Sequence, residues 1–371
     1  MNSMSVEKWL LEGDGTQNNP PLNEEQRAAV TCEVNAVTAA GAGSGKTFVL
    51  ARRYAYLVCV KHYAVSEILT LTFTRKATAE MYQRIYKTLL TVAQLFGDPY
   101  AKKAVEEFHT SRIQTLDSYC SNIAKLAVNS YGVTPDFTLD DGGAYDLASS
   151  MALPFILENR NSVALQLMAK KRNLESLATE LFCNIITKYS TLVSPIAFSQ
   201  DVERQYKECV AEYEKAVCDF CNGAFDLQEI YEQNKNSGKA FFNALGPALE
   251  TFKKADSSNP IDFCVKSCSL ATVSLRGQRP SMPWHSIVTE LRELFASLVA
   301  LANFIERKPL LEELALLLEK FQSDYVKQKR VTGILTFRDV ACLAQDILKN
   351  NIQIRQSEKE SYKAVMIDEF Q

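Results

Sequence analysis

Apolar and polar positions follow two rhythms along this chain. Short, mostly apolar runs stand at Val34 to Ala39, Ile68 to Phe73, Arg112 to Thr115 and Ala364 to Ile367. Each fits a strand of a buried parallel sheet. After the first run the apolar residues Val49, Tyr56, Leu57 and Val60 fall on one helical face. Strands alternating with helices predict an α/β domain built on a parallel sheet. From about Gly132 to Thr332 the helical rhythm takes over. Leu291, Leu294, Leu298, Leu301 and Ile305 recur at three or four residues, and Leu310, Leu311, Leu314 and Leu317 continue beyond Pro309. This stripe reads as helix core. Gly, Pro, Ser and Asn mark loops at Asn234 to Gly238, Asp256 to Pro260 and Arg276 to Pro283. Phe337 to Leu348 reads as a helix leading back to the last strand. The predicted organisation is therefore an α/β domain over residues 1–131 and 333–371, interrupted at 132–332 by a large all-α insertion.

Candidate chemistry sits at the ends of the predicted strands. Ala40-Gly41-Ala42-Gly43-Ser44-Gly45-Lys46-Thr47 lies between the first strand and the helix after it. It reads as a phosphate-binding loop, with Ala40 where the usual pattern has glycine. Glycines let backbone N–H groups close around phosphate oxygens, Lys46 reaches the β- and γ-phosphates, and the Thr47 hydroxyl ligates Mg²⁺. The expected cofactors are ATP and Mg²⁺. The last strand ends in Asp368 and Glu369. Ligands of open α/β sheets sit outside the carboxyl ends of the strands, which suits Asp368 to hold the metal and Glu369 to activate water.

Composition narrows the classes. With 371 residues, 47% hydrophobic and 23% charged, the chain fits an ordinary soluble protein of about two domains. A formal charge of −3 excludes a globally basic nucleic-acid binder, so any polyanion site must be local. Lys170-Lys171-Arg172, Lys253-Lys254 and Lys327-Gln328-Lys329-Arg330 are candidate phosphate contacts, or else solvated helix faces. The N-terminus has no secretory pattern and no run is apolar enough to span a bilayer, so no membrane association and a cytoplasmic location are expected. The ten cysteines have no framework spacing and read as free thiols. Cys218, Cys221, Cys264 and Cys268 have a zinc-like ligand count, but their helical spacing favours core positions.

Four further segments complete an ordered series: Leu22 to Val30, Leu71-Thr72-Phe73-Thr74-Arg75-Lys76-Ala77, Thr115-Leu116-Asp117-Ser118-Tyr119-Cys120, and Leu335 to Val340 followed by Tyr362 to Gln371. With the phosphate loop, the series resembles the ATP-dependent DNA helicases of superfamily 1, the UvrD/Rep-like class. The insertion and the Asp-Glu-Phe-Gln ending make it most similar to the helicase-nuclease subunits of the exonuclease V (RecB/AddA) type. The resemblance implies a RecA-like domain ending in a Walker B strand, with a 1B-like insertion. It implies that Gln26 reads the adenine edge and Gln371 senses the γ-phosphate. It also implies that Phe73, Thr74, Lys76, Thr115 and Ser118 contact single-stranded DNA, the ring stacking on a base while hydroxyls and cation hold phosphates. Arg75 stands where the family has Asn, and Asp117 where it has His; an acid there opposes phosphate.

The activity so implied is DNA-dependent ATP hydrolysis and DNA unwinding, with exonuclease in the complete protein. Its setting would be double-strand-break repair and recombination, beside a second subunit. Relatives of this type supply a second RecA-like domain carrying the catalytic arginines. This chain alone is accordingly expected to bind Mg·ATP weakly and turn it over poorly. Two other readings of the residues stand: a P-loop small-molecule kinase, and a nucleic-acid-binding module with a vestigial nucleotide site.

Overall fold

The computed structural model describes residues 5–16, 19–39, 41 and 45–368. They fall into two compact units, the first comprising residues up to 144, 191–194 and those from 329 on, the second residues 145–190 and 195–328.

The strands of the first unit are β1 (Ile68–Thr72), β2 (Arg112–Thr115), β3 (Thr138–Leu139), β4 (Ile334–Leu335) and β5 (Ala364–Ile367). Its N-terminal helices are α1 (Val6–Glu12), α2 (Glu24–Thr31), α3 (Lys46–Cys59), α4 (Arg75–Phe96), α5 (Pro99–Glu106) and α6 (Leu116–Ala127). β1 lies between β2 and β5 and is parallel to both, with Thr72 opposite Thr115 and Leu71 opposite Ile367. All five residues of β1 are buried, as a central strand covered on both faces requires. β5 is an edge strand; Val365 and Ile367, two residues apart on one face, are 56% and 40% exposed. β3 and β4 form a separate parallel pair.

The expected strand at Val34 to Ala39 is absent. The segment has no regular structure, and Val34 and Val37 are 75% and 88% exposed. Its β-branched composition favours a pleated surface only where a neighbouring strand supplies the pairing, and none does among the described residues.

α3 runs antiparallel to β1. Tyr54, in its second half, donates its hydroxyl to the carbonyl of Val65, just before β1, at 3.2 Å. Fourteen helical residues span about 21 Å and five strand residues about 17 Å, so the start of α3 lies towards the carboxyl ends of the strands. One core joins α1 to α5 to the sheet through Trp9, Leu10, Val30, Tyr54, Ile68, Ile85, Phe108 and Met366.

The second unit is helical. Phe155, Phe182 and Phe321 make one aromatic core, with centroids 5.2–5.4 Å apart; Phe182 belongs to a π-helical turn at Leu177–Cys183. Phe220, Phe252 and Phe263 make another at 5.5–6.0 Å, among helices Phe198–Asn234, Ala240–Phe252, Pro260–Ala271 and Pro283–Glu306. The first and last of these pack closely at Gly223, where a Cβ would stand 2.9 Å from Leu291 Cδ2. Leu291 and Leu298 of the expected stripe are buried, and Leu294, Leu301 and Ile305 pack against them. Cys264 is buried, whereas Cys218 and Cys268 are exposed, and no three metal-ligating side chains converge among the described residues.

Candidate nucleotide and single-strand site

Gly45 precedes α3 with φ 82° and ψ 21°, a left-handed conformation that glycine adopts at little cost. Among the described residues no side chain caps α3. The opening N–H groups of a helix lack intrahelical partners, and with the helix dipole they favour an anion. Lys46 and Thr47, both half-buried, form the first turn. Gly41 is exposed. Ala40, Ala42, Gly43 and Ser44 lie outside the described residues, as do Glu369 and Gln371.

Gln26 is in the first turn of α2. Asn23 accepts its N–H at 2.8 Å, and its Oε1 accepts the Asn23 N–H at 3.1 Å, a reciprocal capping box. Its Nε2 stands 3.9 Å from where a Cβ on Gly45 would be, so the residue read as the adenine contact lies at the start of α3.

Asp368 follows β5, half-buried, and its N–H donates to the carbonyl of Leu71 at 2.9 Å. It therefore sits beside Thr72, at the same end of the sheet towards which α3 begins. The Thr47 hydroxyl and the Asp368 carboxylate are hard oxygen donors of the kind Mg²⁺ prefers, and the glycine at 45 keeps the approach clear of a Cβ. These residues fit Mg²⁺ with a polyphosphate.

β1 and β2 both end in threonine-capped helices. Thr74 Oγ1 accepts the Ala77 N–H at 3.1 Å at the start of α4, and Thr115 Oγ1 accepts the Ser118 N–H at 3.1 Å at the start of α6. The Thr115 and Ser118 hydroxyls are themselves 2.8 Å apart. Phe73 is 49% exposed, and Thr74, Lys76, Asp117 and Ser118 are exposed around it. Because Thr72 and Thr115 are in register, the five residues read as strand contacts stand at neighbouring strand ends.

Sequence reasoning misses a third junction of this kind. β4 runs into Thr336, whose Oγ1 accepts the Asp339 N–H at 3.0 Å and opens helix Phe337–Asn350. Phe337, the first residue of that helix, is 43% exposed. Tyr131, just beyond α6, donates to Asp346 at 2.6 Å, and Ala127 and Tyr131 line one groove with Ile347 and Asn350. The two helices therefore end together, and their starts, with Leu116 and Phe337, face the same side. A sequence signal existed: Leu335-Thr336-Phe337 repeats Leu71-Thr72-Phe73.

The basic clusters divide differently. Lys329 is buried, 2.9 Å from both oxygens of the fully buried Asp339, which also accepts the N–H groups of Leu192 and Thr336. It is an internal counterion, and burial lowers its pKa against the opposing pull of Asp339. Lys327 pairs with Asp324, Lys253 with Glu250 and Arg172 with Glu180, all of them exposed.

The family follows from the sequence: residues 22–239 and 298–371 match the UvrD/REP helicase N-terminal domain, and the chain belongs to that family. Over 94% of its length it is 24% identical to an ATP-dependent helicase/nuclease subunit of Alkaliphilus oremlandii, covering 32% of that protein. It is 26% identical over 94% of its length to the exonuclease/helicase subunit RexA of Lactococcus lactis subsp. cremoris, covering 33% of it. Over 29% of its length it is 44% identical to the ATP-dependent DNA helicase UvrD1 of Mycobacterium leprae, covering 13% of that protein. The chain thus spans about a third of the length of the two helicase-nuclease relatives. Family membership favours the helicase over the small-molecule kinase.

Proposed function

We propose that this chain is the first motor domain of an ATP-dependent DNA helicase that serves a helicase-nuclease in break repair and recombination, in the cytoplasm. Gln26 reads adenine, the loop from Ala40 to Thr47 holds the phosphates, and Lys46 supplies charge at the β- and γ-phosphates. Thr47 and Asp368 would hold Mg²⁺, which would supply positive charge beside the phosphates. Glu369 activates water and Gln371 senses the γ-phosphate. Phe73 stacks on a base of single-stranded DNA, Thr74, Lys76, Thr115 and Ser118 hold its backbone, and Phe337 extends the aromatic platform. The sheet is completed in the RecA manner when Val34 to Ala39 adds to the free edge of β5. Residues 145–190 and 195–328 are the 1B-like insertion, and a second subunit is the partner.

The observation that carries this reading is the gathering of the start of α3, Asp368, Thr72 and Thr115 at one end of a parallel sheet. The decisive experiment measures ATP hydrolysis, with and without single-stranded DNA, on this chain and on a chimera bearing the C-terminal portion of a helicase-nuclease relative. Strong stimulation by DNA in the chimera alone is expected, with at least about a hundredfold loss of turnover on Lys46→Ala. Turnover indifferent to DNA, or unchanged in Lys46→Ala, would refute it.

A further inference from the structure

α3 carries two consecutive arginines, and each grips the carboxyl end of a different helix. Arg52 is buried beneath the rings of Trp9 and Phe48, 4.6 and 4.9 Å from their centroids, and its Nη1 donates to the carbonyls of Trp9 and Leu10 at 3.0 Å. It holds α1. Arg53 is half-buried, and its Nη1 reaches the carbonyls of Ala29 at 3.0 Å and of Val30 and Cys32 at 3.1 Å. It holds α2. The last carbonyls of a helix lack intrahelical donors and carry the negative end of its dipole, so a guanidinium placed there is doubly favoured.

The two helices differ in what they carry. α1 bears no residue of the nucleotide site, whereas the first turn of α2 bears Gln26, whose Nε2 lies 3.9 Å from the Cβ position of Gly45. The capping box fixes that amide to its own helix. The amide therefore moves with α2, and α2 has eight residues, so a small swing at one end displaces the other. Lys61, just beyond α3, adds an exposed ion pair to Glu33, just beyond α2.

We propose that Arg53 is a positioning residue for base recognition: it clamps the adenine-reading helix α2 onto the phosphate-binding helix α3 and so sets the distance between the base and phosphate subsites. Nucleotide selectivity, rather than phosphate affinity, depends on it. The inference rests on the role of Gln26 given above.

The test is competition binding to the intact chain by Mg·ATP, Mg·GTP and Mg·tripolyphosphate. The variants are Gln26→Ala, Arg53→Met, Arg53→Lys and Arg52→Met, with thermal melting recorded for each. A bidentate amide–adenine pair discriminates by about tenfold or more. Gln26→Ala should lose that preference for ATP over GTP. Arg53→Met should lose it equally while tripolyphosphate binding stays within about twofold, and Arg53→Lys, which keeps one donor, should retain part of it and cover the case in which the methionine variant does not fold. Arg52→Met removes a comparable grip from α1 and should lower the melting temperature without moving the preference. An unchanged preference in Arg53→Met, an equal loss of tripolyphosphate binding, or the same loss of preference in Arg52→Met would overturn the proposal while leaving Gln26 in its role. An unchanged preference in Gln26→Ala would overturn the adenine reading itself, and this proposal with it.

Discussion

The first unit contains two kinds of helix start. α4, α6 and helix Phe337–Asn350 each follow a strand and begin at a threonine whose hydroxyl accepts an N–H from the first turn. α3 begins at a left-handed glycine with no side-chain cap among the described residues. A capped start spends its opening donors internally and becomes a rigid mount for what lies beside it, here Phe73, Leu116 and Phe337. An uncapped start keeps the electrostatics of the helix terminus for a ligand. The first unit thus presents both, the uncapped start suited to a compact anion and the capped ones to an extended, stacked chain.

The sharpest way to break the contrast is at the start reinforced most. Thr336 is backed by Asp339, and Asp339 by Lys329, both buried. Lys329→Ala leaves a carboxylate in the core without its counterion, and a loss of about 3–5 kcal/mol is expected in urea denaturation. Lys329→Met with Asp339→Leu should recover much of it, although the Leu192 N–H then loses its acceptor. Next comes Gly45→Ala. At φ 82° an L side chain is strained by about 1–2 kcal/mol, and the added Cβ narrows the phosphate approach. Calorimetry should show weaker Mg·ATP binding and a lowered melting temperature. Thr115→Ala tests the capped class: about 1 kcal/mol of stability should go, together with part of the affinity for oligothymidylate in a fluorescence titration. If that affinity is untouched while stability falls, the cap serves only the fold.

Much of this was legible in the sequence, for local reasons. β1 appears where a short apolar run stood, because a buried parallel strand needs such a run whatever pairs with it, and β2 and β5 stand at the predicted places beside it, only partly buried. The helix opening at Phe337 was readable from its own rhythm. Long-range pairing was not. Val34 to Ala39 has a strand's composition and no strand beside it. Lys329 looked like one cation among several, and only the fold brings Asp339, ten residues on, and the Leu192 N–H against it. The two-residue strands β3 and β4 are too short for any periodicity to show. Arg53 gave no signal either, since its acceptors are backbone carbonyls, which every residue has.

The smallest effect expected lies at the opposite end of the sheet, where β1 and β5 begin. Glu67 accepts the Ala64 N–H at 3.0 Å and pairs with Lys363 at 2.9 Å, while the Lys363 N–H donates to the Glu67 carbonyl at 2.8 Å. The lysine contact first, and then the backbone N–H, hold the Glu67 pKa below its ordinary 4.5. A carboxyl acidified by folding stabilises the native state above its unfolded pKa, and that contribution fades as the pH falls from 4.5 through the folded value. Both side chains are partly solvated, so the pair contributes only about a few tenths of a kcal/mol. Lys363→Met should therefore lower the urea midpoint slightly at pH 7, and the gap from the parent should shrink as the pH is taken below 4.5. A gap that stays constant with pH would assign the loss to the packing of the lysine stem on the Tyr63 ring, 5.4 Å from its ammonium, rather than to charge. In that case the backbone ladder, which at the other end also places Asp368, joins β5 to β1 without help from the carboxylate.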